Sequence, residues 1–189
     1  MKRAMRAFLR VAMFVVVCVF STTAQEGPQQ YDAKAKFLET TARFVEWPAS
    51  SFKTPSASLQ ICIQGNFLFG ARLAELTRSA TVDGHRVEVK WIRKEQDLPG
   101  CQLIFVSRSE AKRYSKVLEA VKTSIALTVG EDTDFLHAGR MLSLETTRSG
   151  VLFDVNLDAV NEGHLNLSSQ LLSLARHVLH RTELAGKLT

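Results

Sequence analysis

The chain has 189 residues, 24 of them lysine or arginine against 19 aspartates and glutamates, a length that suits one domain with a full core. Lys2, Arg3, Arg6 and Arg10 all fall in the first ten residues, which hold no acid, so twenty bases against nineteen acids remain beyond them. A nearly neutral body speaks against a nucleic-acid binder; its densest basic group, Lys112, Arg113 and Lys116, is the solvated side of a helix.

The basic start is followed by ten apolar residues, 11–20, too few to span a bilayer as a helix, and then by the small residues Ser21-Thr22-Thr23-Ala24. This pattern predicts a signal peptide over residues 1–24, cleaved after Ala24. Cys18 is not a lipidation site, because the bulky Val17 precedes it. Residues 25–32 are expected as a flexible polar tail, 33–182 as one domain and 183–189 as a second tail.

From Tyr31 the pattern becomes helical, with Ala35, Leu38, Ala42 and Val45 on one stripe; Pro48 predicts an end near Glu46. A serine-rich loop leads to a strand over residues 59–63, from which Gly65 permits a sharp exit into a helix over 67–76. Residues 86–92 alternate as an edge-like strand, and 103–106 are apolar throughout, as an interior strand requires. Ser109 can cap a helix over 110–121, followed by a strand over 125–129, a helical turn over 135–139 and a hairpin of 141–146 with 150–156. Ser168 or Ser169 can then cap a long final helix that buries Leu171, Leu174, Ala175, Val178 and Leu179 and exposes Arg176, His180 and Arg181. The alternation predicts an α/β sandwich: a mostly parallel central sheet, helices on both faces, an antiparallel hairpin near the C-terminal end and a long C-terminal helix.

Two cysteines, Cys62 and Cys101, remain beyond the leader, and only one internal pairing is open to them. Outside any CxxC motif, a structural bridge outweighs free thiols; closing a loop of about 40 residues is worth roughly 3–4 kcal/mol in the chain-entropy model. The stretch Gly65-Asn66-Phe67-Leu68-Phe69-Gly70 lies where a strand meets a helix, so Gly65, Asn66 and Gly70 are candidates for a ligand-holding loop, although neither a dinucleotide fingerprint nor a phosphate loop is present. His177 and His180 lack a third metal ligand nearby, Glu131, Asp132 and Asp134 suit a polar turn, and His137 suits a partly buried loop. No GxSxG elbow occurs and no triad can be chosen. The residues therefore predict neither metal nor cofactor, and not an enzyme.

Several stretches together resemble the YfiR family of small periplasmic regulators. Ala42-Arg43-Phe44-Val45-Glu46-Trp47-Pro48 resembles its KFVEWP signature, residues 59–65 its first strand and glycine, and Gly100-Cys101-Gln102-Leu103-Ile104-Phe105-Val106-Ser107 its CHILFIS strand. Leu127-Thr128-Val129 with Phe135, Phe153-Asp154-Val155-Asn156-Leu157, and the terminal LNLSSQLLSLA over 165–175 follow in order. The resemblance implies a periplasmic homodimer that binds the periplasmic sensor region of an inner-membrane diguanylate cyclase and represses it. Such repression lowers cyclic di-GMP and biofilm formation, and an outer-membrane, peptidoglycan-associated lipoprotein can sequester the repressor. It also implies a Cys62–Cys101 bridge, and it lacks here the second cysteine pair of some members and the Gly-Gly that others carry at Gly139-Arg140. Candidate partner contacts are Phe44, Glu46, Trp47 and Pro48 at the corner, and Leu171, Leu174 and Arg176 on the final helix; core packing is the competing role for Phe44 and Trp47. A periplasmic small-ligand-binding module of a transport or sensing system is the alternative function.

Overall fold

The computed structural model describes residues 27–65, 69–131 and 133–180. The expected signal peptide and C-terminal tail, Asn66 and Asp132 lie outside the described residues.

The first helix, α1 (Pro28–Arg43), begins earlier than the flexible tail expected over 25–32 allows. Pro28 supplies a helical φ at a position that needs no N–H partner, and the Gln30 side chain accepts from the Gly27 N–H at 3.0 Å. It also ends sooner than expected. After Arg43 the chain turns into β1 (Val45–Glu46), which pairs antiparallel with β9 (Asn166–Leu167), Val45 opposite Leu167.

Between these ends the chain builds one large sheet. Its strands are β2 (Leu59–Gln64), β3 (Thr81–Val82), β4 (His85–Ile92), β5 (Leu103–Val106), β6 (Leu127–Gly130), β7 (Leu142–Thr147), β8 (Gly150–Asn156) and β10 (His177–Leu179). They lie in the order β10-β8-β7-β6-β5-β2-β4-β3. The five strands from β4 to β7 run parallel, and β3 and β8 run against them. From β2 the chain crosses to β4 by α2 (Gly70–Thr77) and then returns past β2 to β5, continuing to β6 by α3 (Tyr114–Val121). Crossovers of one hand running in opposite directions must place α2 and α3 on opposite faces of the sheet. The alternation of the strands agrees. Ile61, Ile63, Leu103, Phe105, Leu127 and Val129 join α1 and Leu73 of α2 in one core; Cys62, Ile104 and Val106 join Val117 and Val121 of α3 in the other. α4 (Thr133–His137) sends Phe135 into the second core, while α5 (Leu157–Glu162) adds Val160 to the first.

The sandwich with a mostly parallel sheet, helices on both faces and an antiparallel β7–β8 hairpin is as expected. So is the bridge: Cys62 and Cys101 are disulfide-bonded, with Cα atoms 5.9 Å apart across 39 residues of sequence. The predicted helix over 110–121 is shorter, because a 3-10 segment, Arg108–Arg113, capped by Ser107 rather than Ser109, precedes α3.

The long C-terminal helix is not formed. α6 (Ser169–Leu174) is capped by Ser168 and stops at Ala175, whose φ of −65° and ψ of 137° are extended. The Arg176 N–H donates to the Phe153 carbonyl at 2.8 Å, and β10 continues alongside β8. An open sheet edge and a buried carboxylate at Asp154 offer residues 176–179 more than another helical turn does. Leu174, expected on the buried face, is 68% exposed. Among the described residues no helix is long and apolar enough to cross a membrane.

Candidate functional site

Open α/β sheets expose a crevice at the carboxyl ends of their parallel strands. In this chain β7 runs on past β6, Ser143 standing opposite Gly130 at the latter's end, so the hairpin overhangs that edge. Arg108, Glu131, Leu144, Glu145 and Thr146 line a cavity of about 260 Å³ there. Glu131 is its organising group. Its carboxylate is paired with Lys34 of α1, a side chain only 2% exposed, and accepts from Ser107 Oγ at 2.9 Å and from the Arg108 N–H at 2.8 Å. The Arg108 guanidinium returns to the Glu131 carbonyl at 2.8 Å. Lys34 also lies over the Phe69 and Phe105 rings, 5.3 and 5.9 Å from their centroids. This arrangement fixes charges of both signs beside a small opening. The carboxylate that faces the Ser107 hydroxyl is already paired with Lys34.

Glu145 links the cavity to a second cluster that fastens β10. Arg176 grips Asp154 with two nitrogens, at 2.9 and 2.6 Å, and reaches Glu145 at 2.8 Å with the third. His177 Nδ1 lies 2.9 Å from Asp154, and His180 Nδ1 lies 2.9 Å from Asp158. Asp154 is 3% exposed. Burial by itself would raise its carboxyl; the hydrogen bonds from Arg176 and His177 outweigh that and hold it below the usual carboxylate range. The two histidines serve different carboxylates, and among the described residues no group of three or more ligands could hold a metal.

The proposed contact residues come together in part. The β1–β9 ribbon carries the Phe44–Pro48 corner to the start of α6, where the Ser168 N–H donates to the Phe44 carbonyl at 2.9 Å. Glu46 faces solvent, Phe44 and Pro48 are half-buried, and Leu171 is buried. Trp47 is 8% exposed, and its indole N–H donates to the Ala42 carbonyl at 2.9 Å. Leu174 and Arg176 part company after α6, the first to solvent and the second to Asp154. Gly65 has φ +102°, and a Cβ there would stand 2.7 Å from that of Ser107, so it serves a tight turn against the β5 exit. Gly70 begins α2.

Sequence reasoning missed Lys34 and Arg108, read Glu131 only as part of a polar turn, and missed Asp154 and Glu145 as partners of Arg176. Two signals were present: a lysine on the apolar stripe of α1, and an aspartate inside the buried run Phe153-Asp154-Val155. Arg140 was also overlooked as a buried charge. It is 1% exposed, its Nε and Nη1 have no partner, one nitrogen reaches the Tyr114 carbonyl at 3.4 Å, and it lies 5.6 Å from the Phe135 ring centroid. Burial pushes its guanidinium down to about 10.

Two solved structures share the fold. A conserved domain protein from Vibrio cholerae O1 biovar El Tor superposes with a TM-score of 0.53 at 13% identity, over 79% of this chain and 60% of that one. The ABC domain in complex with L-Trp from Streptococcus pneumoniae gives a TM-score of 0.52 at 12% identity, over 77% of this chain and 60% of that one. This chain thus spans about 60% of the length of each. No curated protein matches it. The model of the YfiR/HmsC-like family matches residues 31–176, from the first turn of α1 to the arginine that clasps Asp154, and the chain belongs to that family of periplasmic regulators.

Proposed function

We propose that this protein is a periplasmic repressor that binds the periplasmic sensor region of an inner-membrane diguanylate cyclase and holds the enzyme inactive, lowering cyclic di-GMP. The observation that carries the reading is the family match across residues 31–176, nearly the whole described fold. The site chemistry is compatible with it: fixed charges and a small polar cavity suit recognition. Repression of this kind is a population shift, and a partner that binds only the inactive state at 100 times its Kd suppresses the active state by about 2.7 kcal/mol. An outer-membrane, peptidoglycan-associated lipoprotein would relieve repression by competing for the same protein, and a homodimer is the proposed working form.

The test is cellular cyclic di-GMP in a deletion strain complemented with secreted and leaderless forms. Deletion should raise cyclic di-GMP, and only the secreted form should restore it. An unchanged level, with the cyclase shown to be expressed, would overturn the repressor role.

A small-ligand-binding module is the second reading, favoured by the cavity at the strand carboxyl ends and by a shared fold with a domain that holds L-Trp. Ligand-dependent thermal stabilisation, lost on Glu131→Gln, would support it.

A further inference from the structure

The sheet has an unfinished edge. β3 covers only the start of β4, pairing Thr81 with Arg86 and Val82 with His85, and the Val87 N–H donates outward to the Ala80 carbonyl at 3.0 Å. Peptide groups in a strand point alternately to either side, so those of Val89 and Trp91 face the same way as Val87's. Beyond Ala80 they meet no further strand among the described residues, where β4 is otherwise paired only with β2 on its inner side.

Side chains make this edge a surface of definite character. Trp91 is 46% exposed. Its ring lies on Gly70, where a Cβ would come within 2.6 Å of the indole nitrogen, so the glycine is the seat of the tryptophan. Arg86, Lys90, Arg93 and Lys94 are all exposed on or just beyond the same strand. None of them lies within ion-pair distance of a carboxylate among the described residues. Glu88, the acid in their midst, accepts from Ser58 at 2.9 Å and Gln60 at 3.0 Å and offsets one of the four charges through Lys90 and Arg86. An edge guarded only against aggregation needs charge but no exposed aromatic ring. This one offers open backbone groups, an aromatic anchor and a net positive charge together.

We infer that the open edge of β4 receives an extended, acidic segment of a protein partner as an added strand. The peptide groups of Val89 and Trp91 pair with its backbone, Trp91 packs against one of its apolar side chains, and Arg86, Lys90, Arg93 and Lys94 select its acids. This deepens the repressor reading and rests on it only for the identity of the strand donor.

The experiment uses the mature full chain and a blocked six-residue peptide of alternating glutamate and valine, with the lysine–valine peptide as counterpart. Binding is read by Trp91 fluorescence and by protection of the Val89 and Trp91 amides from exchange. The expected result is protection by the acidic peptide alone. Affinity should fall about tenfold or more in Arg86→Glu/Lys90→Glu/Arg93→Glu, a surface change that leaves the melting transition in place, and also in Val89→Pro, which removes an outward N–H. Absence of acidic-peptide binding, equal binding of both peptides, or protection that rises with the chain's own concentration overturns the inference, the last because a second copy then fills the edge. A second arm measures binding to the cyclase sensor region. Loss in the charge-reversed variant supports the inference; undiminished binding overturns it and leaves the repressor role standing. If the wild-type chain does not bind that region, the repressor reading falls and the peptide arm decides the edge alone.

Discussion

Arg140 is the residue whose environment conflicts most with its chemistry. A guanidinium carries five donors, and here most of that capacity faces neither water nor an acid. Replacement by an apolar side chain of similar length should therefore stabilise: Arg140→Met is expected to raise unfolding free energy by about 1–3 kcal/mol, measured by urea denaturation. The gain should persist across the neutral range. A cation whose folded value is held down to about 10 destabilises the fold while it stays charged, and the penalty lifts only as pH climbs above that value. Nothing in the sequence Gly139-Arg140-Met141 announced a buried charge, because arginine between a turn glycine and a strand is ordinarily solvated. Trp47 was legible only as a choice between core and contact. The bond from its indole to the Ala42 carbonyl gives it a packing role, which a sequence pattern cannot distinguish from an exposed anchor.

At the scale of elements, the last strand depends on a few charged groups rather than on apolar burial. Arg176, Asp154, Glu145 and His177 hold β10 against β8, and its middle residue, Val178, is itself partly exposed. Asp154→Asn, which leaves the guanidinium without its buried partner, is expected to cost about 2–3 kcal/mol and to abolish exchange protection along β10 before the rest of the sheet. Acid should act the same way. The Asp154 carboxyl is held below its usual range in the folded state, so its contribution is complete above that range and disappears as pH falls through the lowered value. Protection of β10 should thus be lost as pH falls below about 4. The final segment also shows why the helical reading failed. Leu171, Leu174, Ala175, Val178 and Leu179 fit a helical stripe well, but five residues of periodicity hold less information than one partner 22 residues back in the chain. The strands at 103–106 and 150–156 were legible because their apolar runs had no competing period.

For the molecule as a whole, the Cys62–Cys101 bridge ties the central strand β2 to the turn that precedes β5. It acts mainly on the unfolded chain, closing a loop of about 40 residues, and reduction should lower stability by roughly 3–4 kcal/mol with the folded sheet unchanged. A chemical denaturation series with and without reductant checks this. Class and layering were readable because strand and helix signals alternate along the sequence. The order of the strands was not, since nothing local says that the chain returns across β2 to place β5, nor that α1 packs against a hairpin more than 100 residues away. The charge cluster around Glu131 was hidden for the same reason: Lys34, Ser107 and Arg108 meet it from three separate elements.

The pairing of Val45 with Leu167, and the seating of α1 on β7 and β8, also set a timetable. A chain that emerges N-terminus first, from a ribosome or a translocation channel, can seat its first helix on α2 early but meets the β7–β8 hairpin only late. Until residue 156 has appeared, the side of α1 that rests on β7 and β8 has no native cover, and until about residue 167 the two ends of the fold cannot close. Such long-range closure slows folding and leaves the emerging chain open to holding chaperones and proteases. The middle of the sheet, from β2 through β6, can organise earlier, and its two cysteines are in place to join as soon as residue 101 has passed into an oxidising compartment.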